Sequence, residues 1–274
     1  MVSTRDLFQQ AKNYSVKYEK YFDVYDQLFH RFKNKKITFV EVGVFNGGSL
    51  EIWKKYFHED SKIIGIDFNP ECKKFEDKGV EIFIGDQSNE NFWDDFFKKV
   101  GKVDIILDDG GHTNLQQIIT IMKSIRNIND DGIIITEDTH SSYMSKFGNP
   151  SKYSFINFAK KVIDDINYKF PNLGKFENSL NDYIYSISFF ESIVVFHINT
   201  QKTNINKIVT NNSNKKHIKD YRFHDITSKN FLKNKIFYIL TYFQKYKFIF
   251  YSKSFFLKKI KFFKDKIKLK KFFK

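Results

Sequence analysis

Two short stretches of the sequence place acidic side chains and a histidine where two buried strands are predicted to end. The first is Asp108-Asp109-Gly-Gly-His112, and the second is Glu137-Asp138. Carboxylates that crowd at neighbouring strand ends repel one another, so such a cluster needs a proton or a cation to persist. A hard divalent ion, most simply Mg²⁺, satisfies this requirement. We therefore predict a metal site with a histidine beside it; the alternative is that each acid caps the next helix.

A glycine-rich turn and further acids precede this cluster. The run from Glu41 to Ser49 has the spacing G-x-x-x-G-G, which differs from the dinucleotide fingerprint G-x-G-x-x-G and favours a ligand without a pyrophosphate. Asp67 ends the next predicted strand, where a ribose diol binds in related sheets. Asp86 and Gln87 end the strand after it. These residues predict a nucleoside-type ligand at the carboxyl edge of a sheet, although the turn alone is weak evidence.

The elements that position these residues follow a regular alternation. Five β-rich runs are separated by segments of helical length that open near Gly48, Pro70, Asn89 and Asn114, which predicts a parallel sheet with right-handed crossovers. Two late runs lie too close together for a parallel crossover and must pair antiparallel. The expected fold is α/β, a doubly wound, seven-stranded, Rossmann-like sheet of the class I methyltransferase type with a C-terminal antiparallel hairpin. The predicted strands are Ile37–Val44, Lys62–Phe68, Val80–Asp86, Val103–Asp109, Gly132–Asp138, Tyr183–Phe190 and Ser192–Ile198, and the predicted flanking helices are Tyr18–Phe32 and Tyr153–Ile166.

Charge divides the chain unevenly. Residues 199–274 contain 21 of the 46 Lys and Arg residues but only 3 of the 32 Asp and Glu residues. The first 198 residues therefore hold 25 basic and 29 acidic side chains, and all of the basic excess lies in the tail. We expect an N-terminal helical lid at residues 1–36, a catalytic domain at 37–198 and a basic tail at 199–274. Its first part, to about residue 214, reads as a linker.

From Phe231 onward the tail alternates aromatic and aliphatic residues with lysine, a pattern that favours basic amphipathic helices. Peripheral contact with an anionic membrane is the favoured interpretation. Nucleic-acid binding is disfavoured, because Arg222 is the single arginine of the tail and arginine is preferred for phosphate and base recognition. A solvated helix or an oligomer contact stays open.

The remaining composition bears on location. A single cysteine, Cys72, excludes an internal disulfide framework. The N-terminus lacks an apolar signal region, and the most apolar tail stretch, 236–244, is too short to cross a bilayer. We expect a cytoplasmic protein, with the inner face of the membrane as a further site, and a homo-oligomer of two or more subunits.

Four motifs carry a resemblance to a known family. They are Glu-Val-Gly-Val-Phe-Asn-Gly-Gly-Ser at 41–49, Asp-Asp-Gly-Gly-His at 108–112, Glu-Asp-Thr-His-Ser-Ser-Tyr at 137–143 and Ser-Ile-Ser-Phe-Phe-Glu-Ser-Ile-Val-Val at 186–195. Residues 14–198 resemble the metal-dependent sugar O-methyltransferases of the macrolide-tailoring type, the mycinamicin and macrocin enzymes, and their relatives in bacterial surface-glycan gene clusters. Residues 14–18 correspond loosely to the family's lid segment and receive no role.

The resemblance implies roles for individual residues. Asp109, Glu137 and Asp138 would hold the metal, and His112 would be the general base. The step that is usually Gly-Ser-His in this family is Gly110-Gly111-His112 here, which removes a hydroxyl. His140 and Tyr143 are candidate substrate contacts, with helix capping as the alternative for His140. Residues expected at S-adenosylmethionine are Glu41, Gly43, Gly47, Ser49, Asp67, Asp86, Gln87 and Asp108.

The predicted function is an S-adenosylmethionine-dependent and Mg²⁺-dependent O-methyltransferase. Its acceptor would be the hydroxyl of a sugar, plausibly a nucleotide-activated hexose or heptose for a capsular or other surface polysaccharide. One alternative is an RNA or DNA methyltransferase that uses the basic tail, although the body is acidic and lacks the Asn/Asp-Pro-Pro-aromatic step. Others are a degenerate, non-enzymatic surface-binding protein and a methyltransferase for a catechol-like or phosphoramidate acceptor.

Overall fold

A computed structural model describes residues 2–76, 79–147, 152–169 and 179–211. Most of the basic tail, residues 212–274, lies outside them, and with it the predicted amphipathic helices. Within the described part of the chain, no helix is long and apolar enough to cross a membrane. The strands are β1 Thr38–Val42, β2 Lys62–Asp67, β3 Val80–Ile84, β4 Val103–Asp108, β5 Ile128–Thr136, β6 Ile184–Phe190 and β7 Ile193–Ile198.

Among the described residues, six α-helices and five 3₁₀ segments precede or connect these strands. Side-chain caps begin most of the α-helices; for example, Thr113 and Gln116 form a reciprocal capping box at the start of the fifth helix. The 3₁₀ segments are His30–Phe32, Pro70–Phe75, Ile125–Asn127, Thr139–Tyr143 and Ser145–Phe147. The α-helices are α1 Thr4–Gln9, α2 Tyr21–Phe29, α3 Gly48–Tyr56, α4 Glu90–Val100, α5 Asn114–Ser124 and α6 Phe155–Tyr168.

The sheet has the strand order β3-β2-β1-β4-β5-β7-β6. The first five strands are parallel, and β7 pairs antiparallel with both β5 and β6. Val42 at the end of β1 pairs with Ile66 of β2 and with Asp108 of β4, which in turn pairs with Thr136 of β5. These four strands therefore end at one edge, and the order reverses beside β1, which is where open α/β sheets bind ligands.

The sheet separates two hydrophobic cores. Parallel strands covered on both faces read as continuous apolar runs, as Ile133, Ile134 and Ile135 do. On one face, Tyr25 and Phe29 of α2 pack with Trp53 of α3. On the other face, side chains of α4, α5 and α6 form the second core, with Trp93, Phe96, Ile121 and Phe155 at its centre. The N-terminal helices thus belong to the body of the domain.

The predicted fold class is confirmed, with local differences. β5 begins at Ile128, four residues before the predicted Gly132, because residues 128–131 continue the strand beyond the apolar run. The segment that opens at Pro70 is a short 3₁₀ helix. Residues 199–203, predicted as linker, are held to the body: Thr200 N–H and its hydroxyl donate to Asp130 Oδ1, and the Thr203 hydroxyl donates to Asp182 O.

Candidate active site

A cavity of about 1040 Å³ opens at the carboxyl edge of the sheet. Its walls come from the residues that follow β1, β2, β3, β4 and β5, together with residues 15–18 of the N-terminal segment. Every strand end that carries a predicted site residue therefore contributes to one space. The lining includes Gly43, Asp67, Asp86, Asp109 and His112.

Close contacts with Asp109 and hydrogen bonds to Asp67 fix the conformation of the turn after β1. Gly43 has φ +97°, and a Cβ there would lie 2.1 Å from the backbone oxygen of Asp109, so only glycine fits. Asp67 Oδ2 then accepts the N–H groups of Val44 and Phe45 at 2.8 and 3.2 Å. Asp67 Oδ1 accepts Asn69 N–H at 2.8 Å. The carboxylate at the end of β2 thus fixes the loop at the end of β1 and faces the same cavity.

Five of the eight predicted cofactor residues line this cavity, namely Gly43, Ser49, Asp67, Asp86 and Gln87. The other three, Glu41, Gly47 and Asp108, do not line it. Glu41 is fully buried, and its Oε2 accepts the hydroxyl of Ser49 at 2.7 Å. Gly47 precedes α3 with its Cα against the ring of Phe75.

Asp108, the third of these residues, lies behind Gln87. Gln87 Nε2 donates to Asp108 Oδ1 at 2.6 Å, and Gln87 Oε1 accepts Gly111 N–H at 3.1 Å. Burial raises the pKa of Asp108 to about 6. Asp108 therefore orients the Gln87 amide and the turn toward His112, while its own oxygens stay inside the protein.

The acidic group at the ends of β4 and β5 converges on a small volume. Single ligand atoms of Asp109, His112 and Asp138 all lie within 4.8 Å of one another. His112 Nε2 is 3.4 Å from Asp138 Oδ2 and 3.9 Å from Asp109 Oδ1. The backbones of His112 and Asp138 are both left-handed, with φ of 57° and 53°, an uncommon state for side-chain-bearing residues. The fold therefore maintains backbone strain where these groups meet.

This arrangement suits a divalent cation. The carboxylates of Asp109 and Asp138 supply the hard oxygen donors that such ions prefer, with the imidazole of His112 beside them. His112 Nδ1 is buried and has no hydrogen-bond partner among the described residues, which leaves one ring nitrogen unsatisfied. The hydroxyl of Ser141 donates to the backbone oxygen of His112 at 2.9 Å and holds its turn.

Glu137, the third predicted metal ligand, is placed differently. It is fully buried, and neither of its oxygens belongs to the converging group. Tyr25 donates its hydroxyl to Oε1, and Lys17 Nζ donates to Oε2 at 3.0 Å. Glu137 thus lines the main cavity beside the candidate metal group, and its two carboxylate oxygens accept from Tyr25 and Lys17.

Three side chains that the sequence analysis did not single out complete this site. Lys17 Nζ lies 2.6 Å from Asp109 Oδ2, and the Tyr21 hydroxyl donates to Asp138 Oδ1 at 2.6 Å. Burial alone lowers the pKa of Lys17, but the carboxylates of Asp109 and Glu137 outweigh it and hold that pKa well above its ordinary value. Lys17, Tyr21 and Tyr25 recur every four residues, which is the signal that the sequence offered.

The two predicted substrate residues, His140 and Tyr143, lie in different surroundings. His140 lines a second cavity of about 380 Å³ with Tyr18, Tyr21, Lys20, Glu191 and Ser192, and its Nδ1 lies 3.0 Å from Ser192 Oγ. Tyr143 is 65% exposed and lines neither of these two cavities. The structure thus brings His140 close to the acid group through Tyr18 and Tyr21, and it leaves Tyr143 at the surface.

The chain is similar in sequence to three sugar O-methyltransferases. It is 27% identical over 158 residues to 8-demethyl-8-alpha-L-rhamnosyl tetracenomycin-C 2'-O-methyltransferase of Streptomyces olivaceus. This match covers 54% of this chain and 41% of the relative, and the same two shares are given in brackets for the next relatives. Demethylmacrocin O-methyltransferase of Streptomyces fradiae is 25% identical (53% and 39%). Mycinamicin VI 2''-O-methyltransferase of Micromonospora griseorubida is 27% identical (53% and 39%). The chain therefore spans about two fifths of the length of these relatives. No protein-family model matches it.

Solved structures support the fold. The MycE methyltransferase of the mycinamycin biosynthetic pathway, in complex with Mg and SAH, superposes with a TM-score of 0.65 at 21% identity, over 72% of this chain and 55% of that one. Its complex with Mg, SAH and mycinamycin VI gives a TM-score of 0.66 at 20% identity, over 76% and 57%. The seven-stranded sheet is thus a class I methyltransferase fold.

Proposed function

We propose that this protein is an S-adenosylmethionine-dependent and Mg²⁺-dependent O-methyltransferase that acts on a sugar hydroxyl. The observation that carries the proposal is the group Asp109, His112 and Asp138, which opens into the same cavity as Asp67 and Gly43 in a class I methyltransferase fold. The named sugar O-methyltransferases to which the chain is similar support the acceptor class.

Asp109 and Asp138 would hold the divalent cation, since their oxygens face one another across the ends of β4 and β5. When bound there, the ion supplies Lewis-acid chemistry that lowers the pKa of an acceptor hydroxyl. Tyr21 and Lys17 already direct one oxygen of each carboxylate. The other oxygen of each, Asp109 Oδ1 and Asp138 Oδ2, points toward His112.

His112 is the general base of this proposal. Its Nε2 lies 3.4 Å from Asp138 Oδ2 and 3.9 Å from Asp109 Oδ1, so the ring stands beside the place where the acceptor hydroxyl would give up its proton. A base positioned in this way contributes typically about 10²–10⁴-fold to the rate. The left-handed turn at His112, held by Ser141, keeps the ring over the cavity edge.

The methyl donor would occupy the part of the main cavity that lies over β1, β2 and β3. Asp67 offers a carboxylate at the end of β2, the position that binds a ribose diol in related sheets. Gly43 has no side chain, so a ligand can approach the backbone closely at this position. Asp86 and Gln87 supply polar groups after the end of β3. Residues 15–18 line this cavity from the N-terminal side.

We propose a hexose or heptose as the acceptor, carried as a nucleotide sugar or on a glycan, with a capsular or other surface polysaccharide as its destination. The rhamnosyl group named in the tetracenomycin relative supports a sugar ring. The motif resemblance to surface-glycan proteins is what supports the destination.

The test is an acceptor screen with S-adenosylmethionine labelled in its methyl group. A panel of nucleotide sugars, free sugars and catechol is incubated with the full chain and Mg²⁺, and methylated products are identified by mass spectrometry. We expect methyl transfer to a sugar hydroxyl that the Asp109→Asn variant loses by at least about 100-fold.

Two results of this screen would count against the proposal. Methyl transfer to catechol in preference to every sugar would show that the acceptor is a catechol-like diol and would contradict the proposed sugar acceptor. Equal transfer by wild type and Asp109→Asn in the presence of EDTA would remove the metal from the reaction. Binding of S-adenosylmethionine by calorimetry serves as the folding control, because Asp109→Asn leaves Asp67 and Gly43 in place.

A further inference from the structure

The second cavity, of about 380 Å³, adjoins the candidate active site. Tyr18 and Tyr21 line both this cavity and the main one, and the hydroxyl of Tyr21 donates to Asp138 Oδ1 at 2.6 Å. The volume lies within the range of about 300–1,000 Å³ that is typical of ligand pockets. The two cavities thus share a wall beside the candidate metal group.

Hydrogen bonds attach the second cavity to the strand end that carries Asp138. Thr139, the next residue, donates its backbone N–H to the backbone oxygen of Ser192 at 3.1 Å, and His140 Nδ1 lies 3.0 Å from Ser192 Oγ. Ser192 belongs to the two-residue turn that joins β6 to β7. The position of this cavity relative to the metal group is therefore fixed by the fold.

Tyr18 gives the second cavity an exposed aromatic wall. It is 58% exposed, yet its ring contacts the rings of Tyr21 and His140 at centroid distances of 5.4 and 5.7 Å. Its backbone oxygen accepts Tyr21 N–H at 3.0 Å. The ring is thus held in place while much of its surface is open to a ligand. Because an aromatic face carries partial negative charge, the C–H groups of a pyranose ring pack well against it.

The polar groups around this ring suit an uncharged polyol. Lys20 pairs with Glu191, and Glu19 pairs with Arg5, so each of these charged side chains already has a partner of opposite sign. Carboxylates accept hydrogen bonds from hydroxyl groups and an ammonium donates to them, which are the bonds that a sugar can form. A phosphate group would instead approach the carboxylates of Glu19 and Glu191, and this contact between like charges is unfavourable.

We propose that the second cavity binds the sugar unit next to the one that is methylated. The acceptor is then an uncharged glycoside of at least two sugar units. Its reacting hydroxyl lies at Asp109 and Asp138, and its neighbouring ring packs against Tyr18. This inference rests on the proposed function and narrows its acceptor to a glycan in place of a nucleotide sugar.

The first experiment measures binding to the full chain in the presence of Mg²⁺ and S-adenosylhomocysteine, which has no methyl group to transfer. The probes are methyl glycosides of hexoses, disaccharides of the same hexoses, their 4-nitrophenyl glycosides and UDP-glucose, and calorimetry gives the dissociation constants. We expect at least one disaccharide to bind about tenfold more tightly than the methyl glycosides of its two sugars, because the second ring adds contacts with Tyr18.

Three results of this experiment would overturn the proposal. They are equal binding of disaccharides and methyl glycosides, tighter binding of a 4-nitrophenyl glycoside than of every disaccharide, and tighter binding of UDP-glucose than of every disaccharide. Absence of both binding and methyl transfer for every sugar would instead contradict the proposed function.

The second experiment locates the neighbouring ring with Tyr18→Ala and Glu191→Ala. In methyl-transfer assays each variant should raise the KM for the disaccharide by about tenfold and leave kcat within about threefold, since a contact made equally in the ground state and the transition state acts on KM. The KM for the methyl glycoside should stay within about twofold. Unchanged disaccharide KM in both variants, or an equal loss for both acceptors, would contradict the proposal.

Tyr185→Ala is the matched control. Tyr185 on β6 is 53% exposed and lines neither of the two cavities, so both KM values should stay within about twofold of wild type. Mn²⁺ affinity, measured by electron paramagnetic resonance, reports on the acid group by itself and should be unchanged in all three variants. If Tyr18→Ala also weakens Mn²⁺ binding, Glu191→Ala decides the question, because Glu191 lines the second cavity and not the main one.

Discussion

The phenol of Tyr21 links the start of α2 to Asp138, two residues after the end of β5. Its hydroxyl donates to Asp138 Oδ1 at 2.6 Å, and its oxygen accepts Asp138 N–H at 3.3 Å. Burial raises the pKa of Tyr21 far above its ordinary value, so the phenol remains a donor. The two residues are 117 positions apart in the chain, and their contact fixes a left-handed residue of the candidate metal group.

Tyr21→Phe keeps the ring and removes both hydrogen bonds. We expect Mn²⁺ affinity to fall by about tenfold, because outer groups that orient metal ligands carry effects of this size. The free energy of unfolding should fall by about 2 kcal/mol, the contribution of a hydrogen bond to a charged group. Tyr18→Phe is the control, since Tyr18 packs edge-on against His140 and is largely exposed. Equal Mn²⁺ affinities for the two variants would contradict this role of Tyr21.

His112→Gln tests the general base. We expect kcat to fall by about 10²–10⁴-fold with the acceptor found in the screen, because the amide cannot take up a proton at neutral pH. Binding of S-adenosylmethionine, measured by calorimetry, should stay within about threefold of wild type, since the cavity over β1 and β2 is unchanged. A variant that turns over at nearly the wild-type rate would remove His112 from the mechanism.

Chelation tests the dependence on a divalent ion. Treatment with EDTA should abolish methyl transfer, and added Mg²⁺ should restore it, because Asp109 and Asp138 otherwise repel a developing alkoxide. The melting temperature should also rise when Mg²⁺ is returned, as binding to the folded state alone requires. Full activity in excess chelator would be incompatible with the proposed site.

Gly43→Ala and Gly101→Ala form a matched pair. Both glycines have positive φ, +97° and +80°, but a Cβ at Gly43 meets Asp109 O at 2.1 Å, whereas at Gly101 no described heavy atom lies within 4 Å. Gly101→Ala should lose about 1–3 kcal/mol from backbone strain alone, because φ +80° with ψ −154° is a region that essentially only glycine adopts. Gly43→Ala should lose about 2 kcal/mol more through the clash and should also weaken Mn²⁺ binding. Urea unfolding of both variants measures the difference, and equal losses would refute it.

Glu41→Gln should change the pH dependence of stability. Burial raises the pKa of Glu41 to about 7, and the ammonium of Lys17 opposes this only in part. The folded state then binds the proton more tightly than the unfolded state, so this stabilisation is full below pH about 4.5 and is lost as pH rises through about 7. Glutamine does not ionise.

The free energy of unfolding of Glu41→Gln, relative to wild type, should therefore increase between pH about 5 and pH about 8. Denaturant unfolding at both pH values measures it. Ser61→Ala is the control. The Ser61 hydroxyl accepts Ile37 N–H and does not ionise, so the free energy of unfolding of this variant, relative to wild type, should be independent of pH. A flat difference for Glu41→Gln would mean that Glu41 stays ionised throughout.

The sequence by itself determined the sheet and the residues at its edge. Alternating β-rich and helical segments predict a parallel sheet, and parallel strands end at a common edge, so Gly43, Asp67, Asp109 and Asp138 were expected along that edge. These relationships depend on local periodicity and on chain connectivity, both of which are visible along the chain. Strand position alone does not tell which way a terminal side chain faces: Glu41, Gly47 and Asp108, predicted at the cofactor, do not line the cavity.

Only the tertiary structure decided how the N-terminal segment enters the site. Lys17, Tyr21 and Tyr25 reach acids that lie about 90 to 120 positions later in the chain, and no local pattern encodes such a pairing. Burial decided the rest: an ammonium and a carboxylate that are ordinary at the surface become an obligatory pair once water is excluded. Glu137 and Asp138 are adjacent in sequence, yet the packing of α2 turns one toward Lys17 and the other toward His112.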